Sequence, residues 1–304
     1  MVEFHQVNKS YEGEQAVKDI SFSVDKGELF GLIGPDGAGK STLFRILTTV
    51  LLADNGQVLF DGKDVVDDYE YVRKNVGYMP GKFSLYQDLS VRENLEFFAT
   101  IFNTTIEENY DLIKEIYEQL EPFEDRRAGA LSGGMKQKLA LSCALIHKPK
   151  ILVLDEPTFG VDAVSRKEFW DMLKGLKEKG VTILVSTPYM DEAELCDRVA
   201  LIQKGEILTI NTPDGIRGEF DKTLYKLRTT EIYPTLIALS KMKGMELSFS
   251  FGQEIHLYLE EEIDEKWLAS ELNKQGIGEL TISKGEPIIE DCFMNLMVTG
   301  NLLE

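Results

Sequence analysis

The chain has 304 residues, 43% of them hydrophobic, which is enough for one large domain and a smaller one. Its 52 acidic residues against 33 basic give a formal net charge of -19; a surface that acidic repels a phosphate backbone, so no nucleic acid partner is expected. The cysteines, Cys143, Cys196 and Cys292, stand far apart with no C-x-x-C pair, which predicts reduced thiols and excludes a disulfide framework or a cysteine metal site.

Met1 to His5 carries no basic segment followed by an apolar one, so no signal peptide is expected. No apolar run approaches the ~20 residues that span a bilayer, and any membrane role is expected to come through a partner. Residues 1–30 alternate apolar and polar positions, with turn signals at Glu12-Gly13 and Lys26-Gly27, and predict strands of an antiparallel sheet.

Leu29-Phe30-Gly31-Leu32-Ile33 then reads as a buried strand and Ser41 to Leu52 as an amphipathic helix. Between them, Gly34-Pro35-Asp36-Gly37-Ala38-Gly39-Lys40-Ser41-Thr42 has the G-x-x-x-x-G-K-[ST] spacing of a phosphate-binding loop. Glycines let successive N–H groups turn inward as a nest for phosphate oxygens, and the following helix points its positive end at the same anion. In such a loop Lys40 reaches the β- and γ-phosphates and the Ser41 hydroxyl ligates Mg²⁺, so a nucleoside triphosphate is the expected ligand. Tyr11 is either an aromatic that stacks on the adenine ring or an edge-strand residue packed on the core.

Gly56 to Gly62 reads as a strand closing on a turn, and Val76-Gly77-Tyr78-Met79-Pro80-Gly81 as another ending in a breaker pair. Residues 91–120 change to helical spacing and predict an inserted helical lobe (about 87–147), with Phe97, Phe98 and Phe102 as core. Leu131-Ser132-Gly133-Gly134-Met135 opens a helix with a serine cap, which is either a second anion-friendly terminus or an ordinary cap. Ile151 to Asp155 is an apolar strand ending on Asp155-Glu156; in a phosphate-loop protein Asp155 belongs to the Mg²⁺ shell and Glu156 orients the attacking water. A helix (Ser165–Lys179), a strand (Val181–Ser186) and a second helix (Asp191–Cys196) follow, and the alternation predicts a mostly parallel sheet covered on both faces. From about Phe220 the order strand, helix, strand (from Glu246), strand, helix, strand suits a small ferredoxin-like α/β unit, closed by a helix over Ile288–Met297.

Taken together, residues 1–215 resemble the ATP-binding subunits of ABC transporters, and Pro287-Ile288-Ile289-Glu290-Asp291-Cys292-Phe293 is similar to the C-terminal extension of the subfamily serving drug and polysaccharide exporters. The resemblance implies an α/β, P-loop NTPase (ABC-type ATPase) core with an antiparallel β subdomain and a helical lobe over residues 1–219. Residues 220–304 are expected to form the C-terminal ferredoxin-like accessory domain. It implies ATP and Mg²⁺ as cofactors and Glu156 and Lys40 as catalytic residues. ATP contacts come from Tyr11 and the loop Gly34–Thr42, metal contacts from Ser41 and Asp155. Leu131–Met135 is the signature offered in trans to a second subunit, and Asp162 is the D-loop acid.

The implied partners are a second ABC subunit paired head to tail and a separate integral membrane permease, with the chain peripheral on the cytoplasmic face of the membrane. Two positions depart from the family pattern. Gly81 stands where a glutamine is expected after Tyr78-Met79-Pro80, and Pro188 stands where a histidine is expected between Thr187 and Tyr189. Proline lacks both a side-chain donor and a backbone N–H. Phe159 replaces a small residue, and none of His5, His147 or His256 stands where the missing histidine belongs. Both losses fall on the site of this chain's own loop, so a degenerate site and a heterodimer are expected. A non-transport ATPase, or an ATP-binding regulatory subunit with little turnover, are the alternatives.

Overall fold

In the structure, a computed structural model that describes residues 1–245 and 247–300, strands form where apolar side chains alternate. β1 (Val2–Tyr11) and β2 (Glu14–Val24) pair antiparallel. Val2 and Phe4 point inward; Gln6, at φ 47, then inserts a bulge that brings Val7 inward instead. β3 (Leu29–Ile33) is an apolar run buried throughout. Phe22 stacks on Phe4 at 4.4 Å and on Phe30 of β3 at 5.4 Å, which ties the first strands to it.

α1 (Lys40–Leu47) is shorter than its apolar pattern predicts. Thr49 takes φ 63, and Arg73 holds that turn by donating from Nε to Thr49 Oγ1 at 2.7 Å; Val50 and Leu52 are left exposed beyond it. β4 (Asn55–Phe60) and β5 (Lys63–Asp64) complete an antiparallel sheet of order β2-β1-β4-β5. α2 (Tyr69–Asn75) leads into β6 (Val76–Met79).

Next come α3 (Val91–Ile101), α4 (Ile106–Tyr117) and α5 (Gly133–Leu145). Capping boxes fix two of the starts, Ser90 with Glu93 and Thr105 with Glu108. Buried Asn94 pins the loop before α3, its Oδ1 accepting the Tyr86 N–H at 3.0 Å and its amide donating to Tyr86 O at 3.0 Å. The aromatics expected as core are not core: Phe97 is exposed, and Phe98 and Phe102 are half-buried because they line an open groove.

β7 (Ile151–Asp155), α6 (Ala163–Glu178), β8 (Thr182–Thr187), β9 (Arg198–Gln203) and β10 (Glu206–Asn211) follow. The second sheet has order β10-β9-β3-β8-β7-β6 and is parallel except for the edge strand β10. The helix expected at Asp191–Cys196 is a 3-10 turn over Met190–Leu195. The loops after β3, β6, β7 and β8 all leave from the C-terminal ends of parallel strands, the edge where open α/β sheets place ligands.

Met1–Pro213 makes one compact unit and Asp214–Glu304 a second. α7 (Pro213–Gly218) starts at the boundary, and the second unit holds β11 (Thr223–Thr229), α8 (Ile232–Ser240), β12 (Ser248–Phe251), β13 (Glu254–Leu259), α9 (Glu265–Lys274), β14 (Leu280–Lys284) and α10 (Ile289–Thr299). Its sheet has order β12-β13-β11-β14 with every neighbour antiparallel. The start of the strand expected from Glu246 lies partly outside the described residues. Leu227, Ile255 and Leu257 pack against Leu239, Leu268 and Leu272 of α8 and α9. His256 and Tyr258, which alternate with those strand residues, meet α10 through buried Asp291: His256 Nδ1 lies 2.5 Å from its Oδ1 and the Tyr258 hydroxyl donates to it at 2.8 Å.

Candidate functional site

The Gly34–Thr42 loop curls from the end of β3 into α1. Gly37 (φ 78) and Gly39 (φ 101) occupy the left-handed region that glycine adopts freely. A Cβ on Gly39 would stand 2.4 Å from Ala16 O, and one on Gly34 would stand 2.1 Å from Ile202 O, so close packing also demands glycine at both. The loop bounds a cavity of about 250 Å³ lined by Asp36 to Thr42 together with Ala16 and Glu156. Lys40 is only 3% exposed; its Nζ donates to Gly34 O at 2.7 Å and Pro35 O at 2.9 Å and lies 3.1 Å from Glu156 Oε1. A buried ammonium and a helix N-terminus at one small cavity favour an anion with several oxygens.

The carboxylates come from the end of β7. Asp155 is 3% exposed, and its neighbour across the sheet, Ser186 of β8, donates its hydroxyl to Asp155 Oδ1 at 2.7 Å. Glu156 sits at φ 49, a strained conformation for a non-glycine residue. Its N–H reaches Ser186 O at 3.1 Å and Ser186 Oγ at 3.0 Å, and this turn brings its side chain to Lys40. Burial, and then the charge of Asp155, push the Tyr78 phenol up to about 12. Sequence reasoning missed Ser186; its signal was the polar pair Ser186-Thr187 closing an otherwise apolar strand.

Both departures border this site. A Cβ on Gly81 would stand 3.1 Å from Asp155 O and 3.8 Å from Asp155 Oδ2. Pro188 follows Thr187, whose carbonyl accepts the Gly34 N–H at 3.2 Å. The next side chain, Tyr189, is engaged elsewhere, with the Arg166 guanidinium 5.0 Å from its ring centre.

Leu131–Met135 lines no part of the loop cavity. Ser132 caps α5, its Oγ accepting the Met135 N–H at 3.3 Å. A Cβ on Gly134 would stand 2.7 Å from Ser165 Oγ, so this glycine lets α5 pack on the start of α6. Asp162 caps α6, accepting the Ser165 N–H at 3.0 Å and the Val164 N–H at 3.1 Å; the Ser165 bond foremost holds its carboxyl below the usual range. Phe159, beside it, is 56% exposed.

Tyr11 is 41% exposed, which removes the core-packed reading, and its hydroxyl lies 3.4 Å from Thr42 Oγ1 at the end of the loop. A separate groove of about 450 Å³ runs between β6 and the helices, with Val50, Met79, Phe83, Leu85, Phe98 and Phe102 in its wall. His147, also in that wall, stacks on Phe102 at 3.7 Å, and burial pushes its imidazole down to about 4. All the cysteines are buried free thiols, and among the described residues no cluster of His, Cys, Asp and Glu is arranged to hold a metal.

The family model described as ABC transporter matches residues 17–159. The probable multidrug ABC transporter ATP-binding protein YbhF of Escherichia coli is 40% identical over 221 residues, which cover 72% of this chain and 38% of that protein. The Nod factor export ATP-binding protein I of Mesorhizobium japonicum is 34% identical over 310 residues, 100% of this chain and 88% of the relative. A solved dimeric structure of a post-hydrolysis state of the ATP-binding cassette MJ0796, bound to ADP and Pi, matches with a TM-score of 0.63 at 27% identity, covering 70% of this chain and 98% of that one. The chain belongs to the ABC transporter ATP-binding proteins, a family of ATPases whose members couple hydrolysis to transport. It spans well under half the length of YbhF. No helix among the described residues is long and apolar enough to cross a membrane.

Proposed function

We propose that residues 1–219 bind and hydrolyse Mg-ATP at a head-to-tail dimer interface and so drive a separate membrane permease, an exporter, from the cytoplasmic face of the membrane. The observation that carries this is the meeting of Lys40 and Glu156 at the loop cavity, with Asp155 beside them at the end of the same strand. The names of the relatives, a multidrug transporter subunit and an export subunit, favour export.

Lys40 and the loop amides bind the β- and γ-phosphates, and Tyr11 stacks on the base. The residues present fit a magnesium ion: Asp155 is a buried carboxylate with one oxygen held by Ser186 and the other on the side-chain-free flank of Gly81. Ser41 and Asp155 would hold Mg²⁺, which when bound supplies charge neutralisation between the phosphates. Glu156, turned toward the cavity by its backbone, orients the attacking water. Leu131–Met135 and Asp162 serve the opposite site of the dimer, and the dimeric MJ0796 cassette supports that arrangement.

The apolar groove with Phe83 and Leu85, and neighbouring Tyr86, receive a cytoplasmic helix of the permease. Residues 220–304 form a ferredoxin-like accessory domain, a reading supported by its β-α-β-β-α-β order and antiparallel sheet. Lys40→Ala tests the proposal. It removes a charge-assisted contact worth roughly 1.5–3 kcal/mol, so ATP affinity by calorimetry should fall at least tenfold. Unchanged affinity would sink it.

A further inference from the structure

Ser186, one residue before the end of β8, places a hydroxyl after the apolar run Ile183 to Val185. It is fully buried in β8, in register with Asp155 across the parallel β7–β8 pair, so both side chains leave the sheet on one face. We infer that Ser186 is a positioning residue for the metal ion of the site: holding Asp155 Oδ1, it fixes the carboxylate plane and leaves Oδ2 for the ion. This rests on the Mg-ATP reading proposed above.

Two features separate that role from simple strand-end satisfaction. Oδ2 lies on the flank of Gly81, which has no side chain to orient the carboxylate, so the orienting bond to Asp155 is the 2.7 Å contact from Ser186. The Glu156 N–H, which also bonds Ser186 Oγ, has a second acceptor in the Ser186 carbonyl at 3.1 Å. Deleting the hydroxyl therefore leaves the strained Glu156 turn anchored and takes the constraint from Asp155. The loss falls on the metal, not on the fold. Outer hydrogen-bond partners of ligating carboxylates are worth about 10–100-fold in metal affinity.

The test uses the full chain, Mn²⁺ as a paramagnetic probe and a non-hydrolysable ATP analogue. In Ser186→Ala, Mn²⁺ binding with the analogue present should weaken about tenfold or more, while analogue affinity in EDTA stays at the wild-type level. Ser186→Thr and Ser186→Val are a volume-matched pair that isolates the hydroxyl even if the alanine variant misfolds; the threonine variant should keep Mn²⁺ affinity and the valine variant should lose it. Equal Mn²⁺ affinity in that pair overturns the role of Ser186 while leaving ATP binding intact. A wild-type chain that does not bind the analogue overturns the Mg-ATP reading and this inference with it.

Discussion

Lys40 Nζ and Glu156 Oε1 lie 3.1 Å apart at the mouth of the phosphate-binding loop, so the residue proposed to hold the nucleotide is paired with the residue proposed to act on its water. Phosphate oxygens arriving at Lys40 compete with that carboxylate. Glu156→Gln removes the competing charge while keeping the shape. ATP should bind up to about tenfold tighter, ~1.4 kcal/mol, and single-turnover hydrolysis should fall about 10²–10⁴-fold. Calorimetry and a quenched time course read the two effects separately. Weaker ATP binding in this variant would contradict the competition.

Gly39→Ala should damage the loop through its backbone. The new methyl would meet Ala16 O at 2.4 Å in a residue at φ 101, and the carbonyl belongs to a strand that cannot move aside cheaply. A strained left-handed residue costs on the order of 1–3 kcal/mol. The expected outcome is loss of ATP binding with a melting temperature lowered by a few degrees. Wild-type affinity would mean that the loop does not use this conformation.

The phosphate loop was legible residue by residue because its spacing is its chemistry: Gly37 and Gly39 take the left-handed angles that only glycine adopts without strain. What the sequence hid depends on partners distant along the chain. Phe97, Phe98 and Phe102 repeat like a core stripe, but periodicity shows which side is apolar and not whether anything covers it. Thr49 ends α1 early through a bond from Arg73. Ser186 acquires its contact only from the strand register of β7 and β8, and Asp291 only when α10 meets His256 and Tyr258.

His147 makes stability depend on pH. Its imidazole is held near 4 in the folded chain by burial, against about 6.5 unfolded. Between those values the unfolded chain binds more protons, so the folded state gains stability as pH rises from about 4 to about 6.5 and loses it as pH falls through that window. The full effect is on the order of 3 kcal/mol. Urea unfolding of wild type and His147→Gln at pH 7 and pH 4.5 reads it by difference, which cancels the carboxylates common to both. Parallel pH curves for the two proteins would refute the assignment.

Asp291→Ala should loosen the second unit selectively. It strips the shared acceptor from the buried His256 and Tyr258. Leaving a buried polar group without its hydrogen-bond partner costs on the order of 1–3 kcal/mol for each group. ATP binding should persist, because the proposed contacts all lie in residues 1–219. Hydrogen exchange should rise across β13 and α10 while α1 stays protected. Equal loss of protection in α1 would show that the two units unfold as one.

The last prediction concerns the two departures, and their location decides it. Gly81 borders Asp155, and Pro188 follows the residue whose carbonyl bonds Gly34, so both are expected to act on the site built on this chain's own Lys40. Ser132 still caps the signature helix that a partner would use. Tyr189, the side chain next to Pro188, lies against Arg166. Loss of one preorganised donor costs on the order of 10²–10³ in rate, so a homodimer would carry slow sites twice. Purified alone, the chain should bind ATP and turn it over slowly; with a subunit that has both the glutamine and the histidine, one fast site should appear. Pro188→His should raise the rate of the isolated chain. Gly81→Gln should add less than its full share, because a Cβ there meets Asp155 O at 3.1 Å and the strand end must give by a few tenths of an ångström. Ordinary ABC-type turnover by the wild-type homodimer would rule out unequal sites.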